Sequence, residues 1–264
     1  MTTMTGKLIV EKSDGIGRLV LNQPDKHNAI SFEMWQGISR AMKKFSDDDE
    51  VRVIVVSGAG EKAFSAGADI SEFAEMRASK EQVARYDRAA RRACEDLSEI
   101  DKPTLAMIRG YCIGGGAEIA LCCDVRIAAE DARFGIPAAK LGLAYRWDDI
   151  FPLVGLVGAS FAKEILFTGR QFDATEAREM GLVNRVVPNA ELEARVDDYA
   201  GRIAVNAPLT IRAAKRAVAE VMKDPAERDL EMVGDLVDKC FASEDYVEGR
   251  RAFMEKRKPK FKGR

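Results

Sequence analysis

Two short loops that are rich in glycine and alanine have the residue types and positions best suited to chemistry. Residues 63–70 read AFSAGADI, and residues 110–118 read GYCIGGGAE. Each loop directly follows a run of apolar residues that predicts a buried strand. Ligands of α/β sheets usually bind where strands end, and small side chains let a ligand atom approach the backbone closely. The two loops are therefore the candidate site.

The glycine triplet Gly114–Gly116 indicates what chemistry the second loop supports. It opens a predicted helix, where backbone N–H groups lack partners and the helix dipole favours negative charge. If an N–H group of the first loop converged on the same point, the pair would form an oxyanion hole for a developing negative charge. The alternative is that the glycines only permit tight strand–helix packing. Neither loop has the residue spacing of a P-loop or of a dinucleotide fold.

Glu118 is the candidate acid–base residue. It lies two residues beyond the triplet, and its neighbours Ala117, Ile119 and Ala120 predict burial and a raised pKa. Alternatively, it only complements the helix dipole as a first-turn acid. The chain has one histidine, His27, in a predicted loop. A zinc site built on several histidines is thereby excluded, and acid–base catalysis near neutral pH falls to carboxylates, tyrosine or lysine.

Alternating strand and helix signals place the two loops in an α/β body. Continuous branched runs predict buried strands, and apolar residues three or four apart predict helices. A mainly helical last third follows, and the break at residues 206–208 divides the chain into a core, 1–206, and a C-terminal region, 207–264. Strands are predicted at residues 7–11, 17–21, 51–56, 103–108, 124–128 and 183–187, and helices at 31–45, 80–100, 117–121, 190–206, 209–222, 226–241 and 245–256.

The composition of the 264 residues is that of a soluble globular protein, with 47% hydrophobic and 32% charged residues. The net charge of −2 argues against a nucleic-acid surface. Five cysteines show neither a disulfide framework nor a CxxC pair, which fits a reducing cytosol. No signal peptide and no apolar stretch of about 20 residues is evident. We therefore expect a cytoplasmic protein without nucleic-acid or membrane partners. Trp35 and Trp147 are predicted packing residues.

Several separated motifs resemble those of the crotonase (enoyl-CoA hydratase/isomerase) superfamily. Residues 64–70 look like its oxyanion-loop motif, and residues 110–124 look like its second signature. Further similarity lies at residues 24–29, 167–169, 177–187 and 243–257. The resemblance implies an α/β fold of the crotonase type, a superhelix of ββα units with a C-terminal helical region for oligomerisation. It also implies a homotrimer or a dimer of trimers, coenzyme A thioester substrates and no permanently bound cofactor.

The resemblance also assigns roles to individual residues. The backbone N–H groups of Ala68 and Gly115 would hold the thioester oxygen, and Glu118 matches one of the two catalytic glutamates of the hydratases. The position of the second glutamate is Ala138 in this chain. Positions that match contacts with coenzyme A are Lys26, Ala29, Ala66, Ala68, Asp69, Ile70, Phe253 and Lys256. The last two often come from a neighbouring subunit, and the alternative for them is a solubilising tail.

Residues 141–149 depart from the hydratase pattern and contain further candidates. Hydratases usually carry Pro-Gly-x-Gly-Gly there, whereas this chain reads LGLAYRWDD. Tyr145 falls where the methylmalonyl-CoA decarboxylase branch has a tyrosine, although that branch has a histidine in place of Ala68. Asp148 and Asp149 are candidates for a substitute acid or base; alternatively, they form a solvated helix N-terminus.

The resemblance thus implies an enoyl-CoA hydratase with Glu118 as its acid/base and with Ala68 and Gly115 as oxyanion donors. One alternative is an acyl-CoA isomerase or decarboxylase that uses Tyr145 or Asp148. Another is a non-catalytic protein that binds coenzyme A or RNA. The missing second glutamate favours this last alternative, whereas the isoelectric point of about 5.8 disfavours RNA.

Overall fold

The computed structural model describes residues 2–72 and 78–264. Within these residues, strands form two sheets and the helices pack around them. The strands are β1 (Thr2–Thr5), β2 (Leu8–Ser13), β3 (Ile16–Leu21), β4 (Val53–Gly58), β5 (Ala63–Ser65), β6 (Thr104–Ile108), β7 (Tyr111–Ile113), β8 (Val125–Ala129), β9 (Arg133–Gly135), β10 (Phe172–Asp173) and β11 (Arg185–Val187). The helices are α1 (Phe32–Ser46), α2 (Lys80–Glu99), α3 (Gly115–Leu121), α4 (Trp147–Thr168), α5 (Ala174–Glu179), α6 (Leu192–Ala204), α7 (Pro208–Val221), α8 (Leu230–Ala242) and α9 (Glu244–Met254).

The middle of the chain repeats a unit of two strands and a helix. The larger sheet has the strand order β1-β2-β3-β4-β6-β8-β11, and the smaller has the order β10-β9-β7-β5. In β4-β5-α2, β6-β7-α3 and β8-β9-α4, the first strand joins the larger sheet and the second joins the smaller one. Equivalent strands of successive units pair in parallel. The predicted ββα units are confirmed, and the ends of β5 and β7 lie side by side.

Strand β4 shows why the larger sheet is buried on both faces. Its residues alternate, so that Ile54 and Val56 join the main core together with α1 and α2. Val53 and Val55 face the other way and pack with α6 in a second core. All four side chains are at most 1% exposed. A continuous branched run is the expected sequence of such a strand, and the prediction from residues 51–56 is confirmed.

Helices α1 and α2 pack against each other and carry the first half of the site. The Ser31 side chain caps α1 by accepting a hydrogen bond from the Met34 N–H, at 3.3 Å. The face of α1 with Trp35 and Ile38 is buried, as its spacing predicts. Helix α2 is polar and buries mainly Tyr86, Ala93 and Leu97 against the core. Its opposite side is left to solvent.

Helix α4 is long, apolar and interrupted. Gly158 has a φ of 72°, which breaks the helical path. The helix packs on the core through Leu153, Val157 and other residues of one face. By length and composition alone it is apolar enough to cross a membrane, with a mean hydropathy of 1.7 over its best window. Trp147 at its start is 74% exposed, so its predicted packing role is wrong: its ring contacts Phe151 on the surface.

The C-terminal helices α7, α8 and α9 enclose an apolar groove of about 700 Å³. The end of the chain is fastened beneath α9 because the Asp245 carboxylate, 3% exposed, accepts hydrogen bonds from the N–H groups of Lys262 and Gly263, at 2.6 and 2.8 Å. Helix α7 is tied to the larger sheet by Lys215, whose Nζ lies 2.8 Å from an Asp124 carboxylate oxygen. These contacts hold the chain end against α9 and hold α7 against the larger sheet.

Candidate active site

The first loop is held by an extended contact with the segment before α1. Ile30 forms a parallel bridge with Ala68. The Ile30 N–H donates to the Gly67 carbonyl at 2.7 Å, and the Asp69 N–H donates to the Ile30 carbonyl at 2.9 Å. Ile30 is bonded to Gly67 and Asp69. In a parallel bridge of this kind, the residue between them, Ala68, directs its own N–H away from the partner strand. The Ala68 N–H is thereby turned away from Ile30.

The second loop turns sharply from β7 into α3. Gly114 has a φ of 51°, and its N–H donates to the Gly135 carbonyl at 2.9 Å. Gly115 begins the helix, so its N–H has no place in the intrahelical ladder. A Cβ at Gly116 would lie 2.5 Å from the Ser65 carbonyl oxygen, so only glycine lets α3 pack against β5. Tight packing therefore explains Gly116, and Gly115 is the residue that presents an N–H group.

The two loops meet. A Cβ built on Gly115 would lie 3.5 Å from the Ala68 nitrogen, and a Cβ built on Gly67 would lie 3.5 Å from the Gly115 nitrogen. Ala68 and Gly115 both line one cavity of about 440 Å³. Gly115 has no side chain that could fill the cavity, so the space beside the Ala68 and Gly115 nitrogens is open to a ligand. The arrangement can present two N–H groups to one oxygen atom.

The floor of the cavity is a buried aromatic pair. The Trp35 indole N–H donates to the Tyr86 hydroxyl at 2.9 Å. Both side chains are at most 3% exposed, and both line the cavity. A Cβ at Gly115 would lie 3.3 Å from the Trp35 ring. Trp35 therefore packs, as predicted, and it also limits the depth of the cavity beneath Gly115.

Glu118 lies one turn along α3 from Gly115 and lines the same cavity. It is half-buried, whereas its neighbours Ala117 and Ile119 are buried. The expectation of burial is therefore met only in part, because the cavity itself leaves the side chain accessible. Ala138 also lines the cavity and is 8% exposed. In the described part of the chain, Glu118 is the carboxylate that α3 brings to the cavity.

Charged side chains of α2 and of the start of α4 form the outer wall. The Arg146 guanidinium bonds one Asp87 oxygen through two nitrogens, at 2.7 and 3.2 Å. The Arg146 N–H donates to the Asp149 carboxylate at 2.9 Å, which caps α4. Arg91 and Asp148 lie 3.8 Å apart. Tyr145 is half-buried in this wall, so the structure brings Tyr145 and Asp148 to the cavity that holds Glu118.

Residues predicted to contact coenzyme A gather at the mouth of the cavity. Ala66 and Ile70 line it and are exposed. Lys26 is beside them, with its Nζ 2.7 Å from an Asp69 oxygen and 3.2 Å from the Ser71 hydroxyl. Burial acts to raise the pKa of Asp69, but the hydrogen bonds from Lys26 and Ser71 outweigh it and lower the pKa. The carboxylate therefore stays ionised and holds Lys26 in place.

Three other predicted residues lie elsewhere. Ala29 is half-buried in the segment behind the mouth, where its carbonyl accepts a bond from Gln23 at 2.7 Å. Phe253 lines the C-terminal groove and is 83% exposed. Lys256 follows α9 with a φ of 53° and is exposed. A single chain thus does not bring Phe253 and Lys256 to the cavity lined by Glu118.

Three of the five cysteines have thiols with a raised pKa. Burial raises the pKa of the Cys112 and Cys123 thiols. A hydrogen bond with Cys122, together with burial, raises the pKa of Cys94. These three thiols stay protonated at neutral pH, which makes them poor nucleophiles. Residues 2–72 and 78–264 contain no group of three or more His, Cys, Asp or Glu side chains placed to hold a metal ion.

Sequence reasoning missed the contribution of α2. The residues of α2 that line the cavity include Tyr86, Asp87, Arg88 and Arg91. The sequence predicts a helix at residues 80–100 but no part for it in the site. Their spacing offers one signal, because residues three and four apart share a helix face. Asp87 and Arg91 are four apart and both follow the buried Tyr86. What they face cannot be derived from that spacing.

Comparison with known proteins finds one family along the whole chain. The sequence profile of enoyl-CoA hydratase/isomerase matches residues 11–264. The crotonyl-CoA hydratase of Syntrophomonas wolfei is 35% identical over 254 residues, which cover 96% of this chain and 97% of that protein. The carnitinyl-CoA dehydratase of Salmonella typhi is 35% identical over 265 residues, covering 99% and 100%. The crystal structure of an enoyl-CoA hydratase/carnithine racemase from Magnetospirillum magneticum has a TM-score of 0.94 at 36% identity, covering 98% and 97%.

Proposed function

The chain belongs to the enoyl-CoA hydratase/isomerase family, and from this premise we propose that it hydrates an enoyl-CoA thioester at the cavity lined by Ala68, Gly115 and Glu118. The observation that carries the proposal is the meeting of the two loops, which places the Ala68 and Gly115 nitrogens beside the same open space. Two relatives of similar length carry the names of a crotonyl-CoA hydratase and a short-chain-enoyl-CoA hydratase.

The chemistry follows from where negative charge develops. Adding the oxygen of water to Cβ pushes an electron pair through Cα to the thioester oxygen, and the pair returns when Cα takes a proton. The N–H groups of Ala68 and Gly115 would stabilise the enolate oxygen, and each fixed donor is worth about 3 kcal/mol. Glu118 would take a proton from water and return one to Cα. The coenzyme enters as part of the substrate, and no resident cofactor is required.

Replacing Glu118 tests this function. We expect Glu118→Ala and Glu118→Gln to lower turnover of crotonyl-CoA by about 100-fold or more, the scale of acid–base catalysis. The loss of ultraviolet absorbance of the conjugated thioester follows the reaction. Glu95→Ala, an exposed carboxylate on α2, is the matched control and should leave turnover unchanged. Unchanged turnover in both Glu118 variants would remove this residue from the mechanism.

A second candidate reaction is isomerisation or decarboxylation of another acyl-CoA. The observation that favours it is Ala138, which offers no carboxylate at the cavity, whereas Tyr145 and Asp148 do line the cavity. Tyr145 or Asp148 would then act in proton transfer beside Glu118. A panel of enoyl-, methylmalonyl- and aryl-CoA thioesters separates the reactions: hydration adds the mass of water, decarboxylation removes that of carbon dioxide, and isomerisation leaves the mass unchanged but alters the chromatographic retention. If the enoyl-CoA alone reacts and its only product is the hydrated thioester, the second candidate is excluded.

We also propose a homotrimer or a dimer of trimers. The C-terminal helices expose large apolar side chains, including Phe241 (61%), Val247 (64%) and Met254 (80%). Water-exposed apolar surface of this extent is typical of an interface between chains. Light scattering of the protein as it elutes from a size-exclusion column should give a mass three or six times the 29.1 kDa of one chain. The mass of a single chain at micromolar concentration would contradict the proposal.

We propose a cytoplasmic location, with no membrane partner for α4. The helix is broken at Gly158 and contains Pro152, and one face is packed on the core. A break in the backbone ladder is costly in lipid, where no water can bond the freed groups. After cell lysis and centrifugation, we expect the protein in the supernatant without detergent. Recovery in the membrane pellet after a high-salt wash would contradict this location.

A further inference from the structure

The outer wall of the cavity carries a cluster of charged side chains beside apolar ones such as Leu141 and Leu143. Its charged members come from α2 and from the start of α4 and are Asp87, Arg88, Arg91, Arg146, Asp148 and Asp149. A purely apolar acyl chain placed against this wall would strip water from charged groups without replacing the lost hydrogen bonds. Such desolvation is unfavourable. The wall therefore suits an acyl group with a polar end.

The carboxylates of the wall are already engaged or directed outward. Asp87 accepts two hydrogen bonds from the Arg146 guanidinium. Asp149 accepts the Arg146 N–H and caps α4. Asp148 is 54% exposed and lies in the first turn of α4, where the helix dipole favours its negative charge. These three acids have their charge compensated within the wall.

The arginines of α2 have hydrogen-bond donors to offer. The Arg91 guanidinium lies 3.8 Å from an Asp148 carboxylate oxygen, which is too far for a hydrogen bond. The Arg91 side chain is 47% exposed. Among the described residues, no side chain or carbonyl accepts a hydrogen bond from the Arg88 guanidinium. Arg88 and Arg91 are three residues apart on one face of α2, so both point to the same part of the cavity. A planar guanidinium pairs best with a carboxylate, through two parallel bonds.

We propose that the acyl group of the substrate ends in a carboxylate, which Arg91 binds with support from Arg88. This inference rests on the proposed function, because it takes the thioester to lie between Ala68 and Gly115. The chain of the acyl group then runs past Glu118 to the outer wall, and the Asp87–Arg146 pair keeps that wall in place. Arg91 is the residue that determines specificity, and it takes no part in proton transfer.

Binding of unreactive saturated thioesters tests the proposal without requiring turnover. Calorimetry would compare succinyl-, glutaryl- and adipyl-CoA with their neutral isosteres, in which an isopropyl group replaces the carboxylate, and with 5-aminopentanoyl-CoA. We expect one of the carboxylates to bind roughly 10- to 100-fold more tightly than its isostere, the value of hydrogen bonds to a charged group. In Arg91→Met this preference should fall to within about threefold, and Arg88→Met should reduce it less.

Arg92→Met is the matched control. Arg92 is the next residue of α2, is 69% exposed and pairs with Asp96 outside the cavity. It should keep the full preference for the carboxylate, and all three variants should keep the melting temperature of the parent. A wild-type protein that binds the isostere or the amine at least as tightly would overturn the proposal. So would a carboxylate preference that survives in both Arg91→Met and Arg88→Met.

The result separates this inference from the proposed function. If crotonyl-CoA is hydrated with the expected dependence on Glu118 but no carboxylate is preferred, the function stands and the carboxylate inference fails. If a carboxylate is preferred through Arg91 while Glu118→Ala leaves turnover unchanged, the inference on the ligand stands and the proposed mechanism fails.

Discussion

Adding a single methyl group at Gly115 should impair catalysis without impairing folding. That methyl would lie 3.3 Å from the Trp35 ring and 3.5 Å from the Ala68 nitrogen, so it would occupy the space between the two N–H donors. Gly115→Ala should lower turnover of crotonyl-CoA by roughly 100- to 1,000-fold, the effect of losing one oxyanion donor. The melting temperature should change little, because alanine favours the helix. Full activity would show that the thioester oxygen binds elsewhere.

Asp69 should make stability depend on pH in acid. Its pKa is lowered in the folded chain, because hydrogen bonds from Lys26 and Ser71 outweigh burial. A lowered pKa stabilises the fold above the ordinary Asp pKa of about 3.9, and the contribution disappears as the pH falls through the folded value. Asp69→Asn should therefore lower the free energy of unfolding by about 1–3 kcal/mol at pH 7 and by less near pH 3.

Urea denaturation at both pH values measures the Asp69 effect. Asp25→Asn, an exposed aspartate next to Lys26 in the chain, is the control and should change neither value by more than about 0.5 kcal/mol. An equal loss at pH 7 and pH 3 would mean that the carboxylate charge does not contribute.

At the residue scale, the small residues of the two loops could be recognised in the sequence, whereas the outer wall could not. The φ of 51° at Gly114 is a local backbone property that glycine permits, so a glycine triplet can signal it. The close packing of Gly116 against Ser65 joins distant segments and is visible only in the fold. The Asp87–Arg146 pair joins residues 59 apart, and nothing in either segment indicates the other. The roles assigned to Ala68, Gly115 and Glu118 stay predictions that the variants above test.

Glycines inside helices allow a prediction at the scale of elements. In α6, a Cβ at Gly201 would meet no heavy atom within 4 Å, and the residue has ordinary helical geometry. Gly201→Ala should raise stability by about 0.5–1 kcal/mol. Gly158 in α4 also has free space, but its φ of 72° suits glycine, so Gly158→Ala should destabilise. Melting temperatures that shift in the same direction for both variants would contradict this reading of the two backbones.

Element by element, length decided what the sequence could predict. Most strands of the larger sheet and most of the long helices show a branched run or a helical period, and their predicted ranges match to within a few residues. The exceptions are β1 and α4, for which the sequence predicts no range; in α4, which contains Pro152, Gly158 interrupts the helix. The smaller sheet is built from strands of two or three residues, too short for any period. Residues 63–65 were therefore assigned to a loop, although β5 pairs with β7 there and aligns both candidate loops.

At the scale of the whole molecule, the chain separates its predicted coenzyme contacts. Lys26, Ala66 and Ile70 lie at the cavity mouth, whereas Phe253 lies in the last turn of α9 and Lys256 just beyond it. Phe253 is 83% exposed, so it contributes little to the stability of its own chain. In the proposed trimer, Phe253 of one subunit would cover the coenzyme bound to its neighbour. The sequence could suggest this division through family resemblance alone, because no local pattern records a contact between chains.

Phe253→Ala should therefore raise the KM for crotonyl-CoA by roughly tenfold and leave kcat and the melting temperature nearly unchanged. Burying an aromatic side chain against a ligand is worth about 1.5–3 kcal/mol, and each 1.4 kcal/mol is a factor of ten in affinity. Val218→Ala on α7, where the side chain is 65% exposed, is a control for the loss of surface apolar area.

Co-expression of Phe253→Ala with Glu118→Ala gives the decisive measurement. If Phe253 acts across the subunit boundary, mixed oligomers contain sites with an intact Glu118 from one variant and an intact Phe253 from the other. At low substrate concentration, the activity of the mixed oligomers should exceed the mean of the two parent variants. Activity equal to that mean would place Phe253 within its own subunit's site or outside any site.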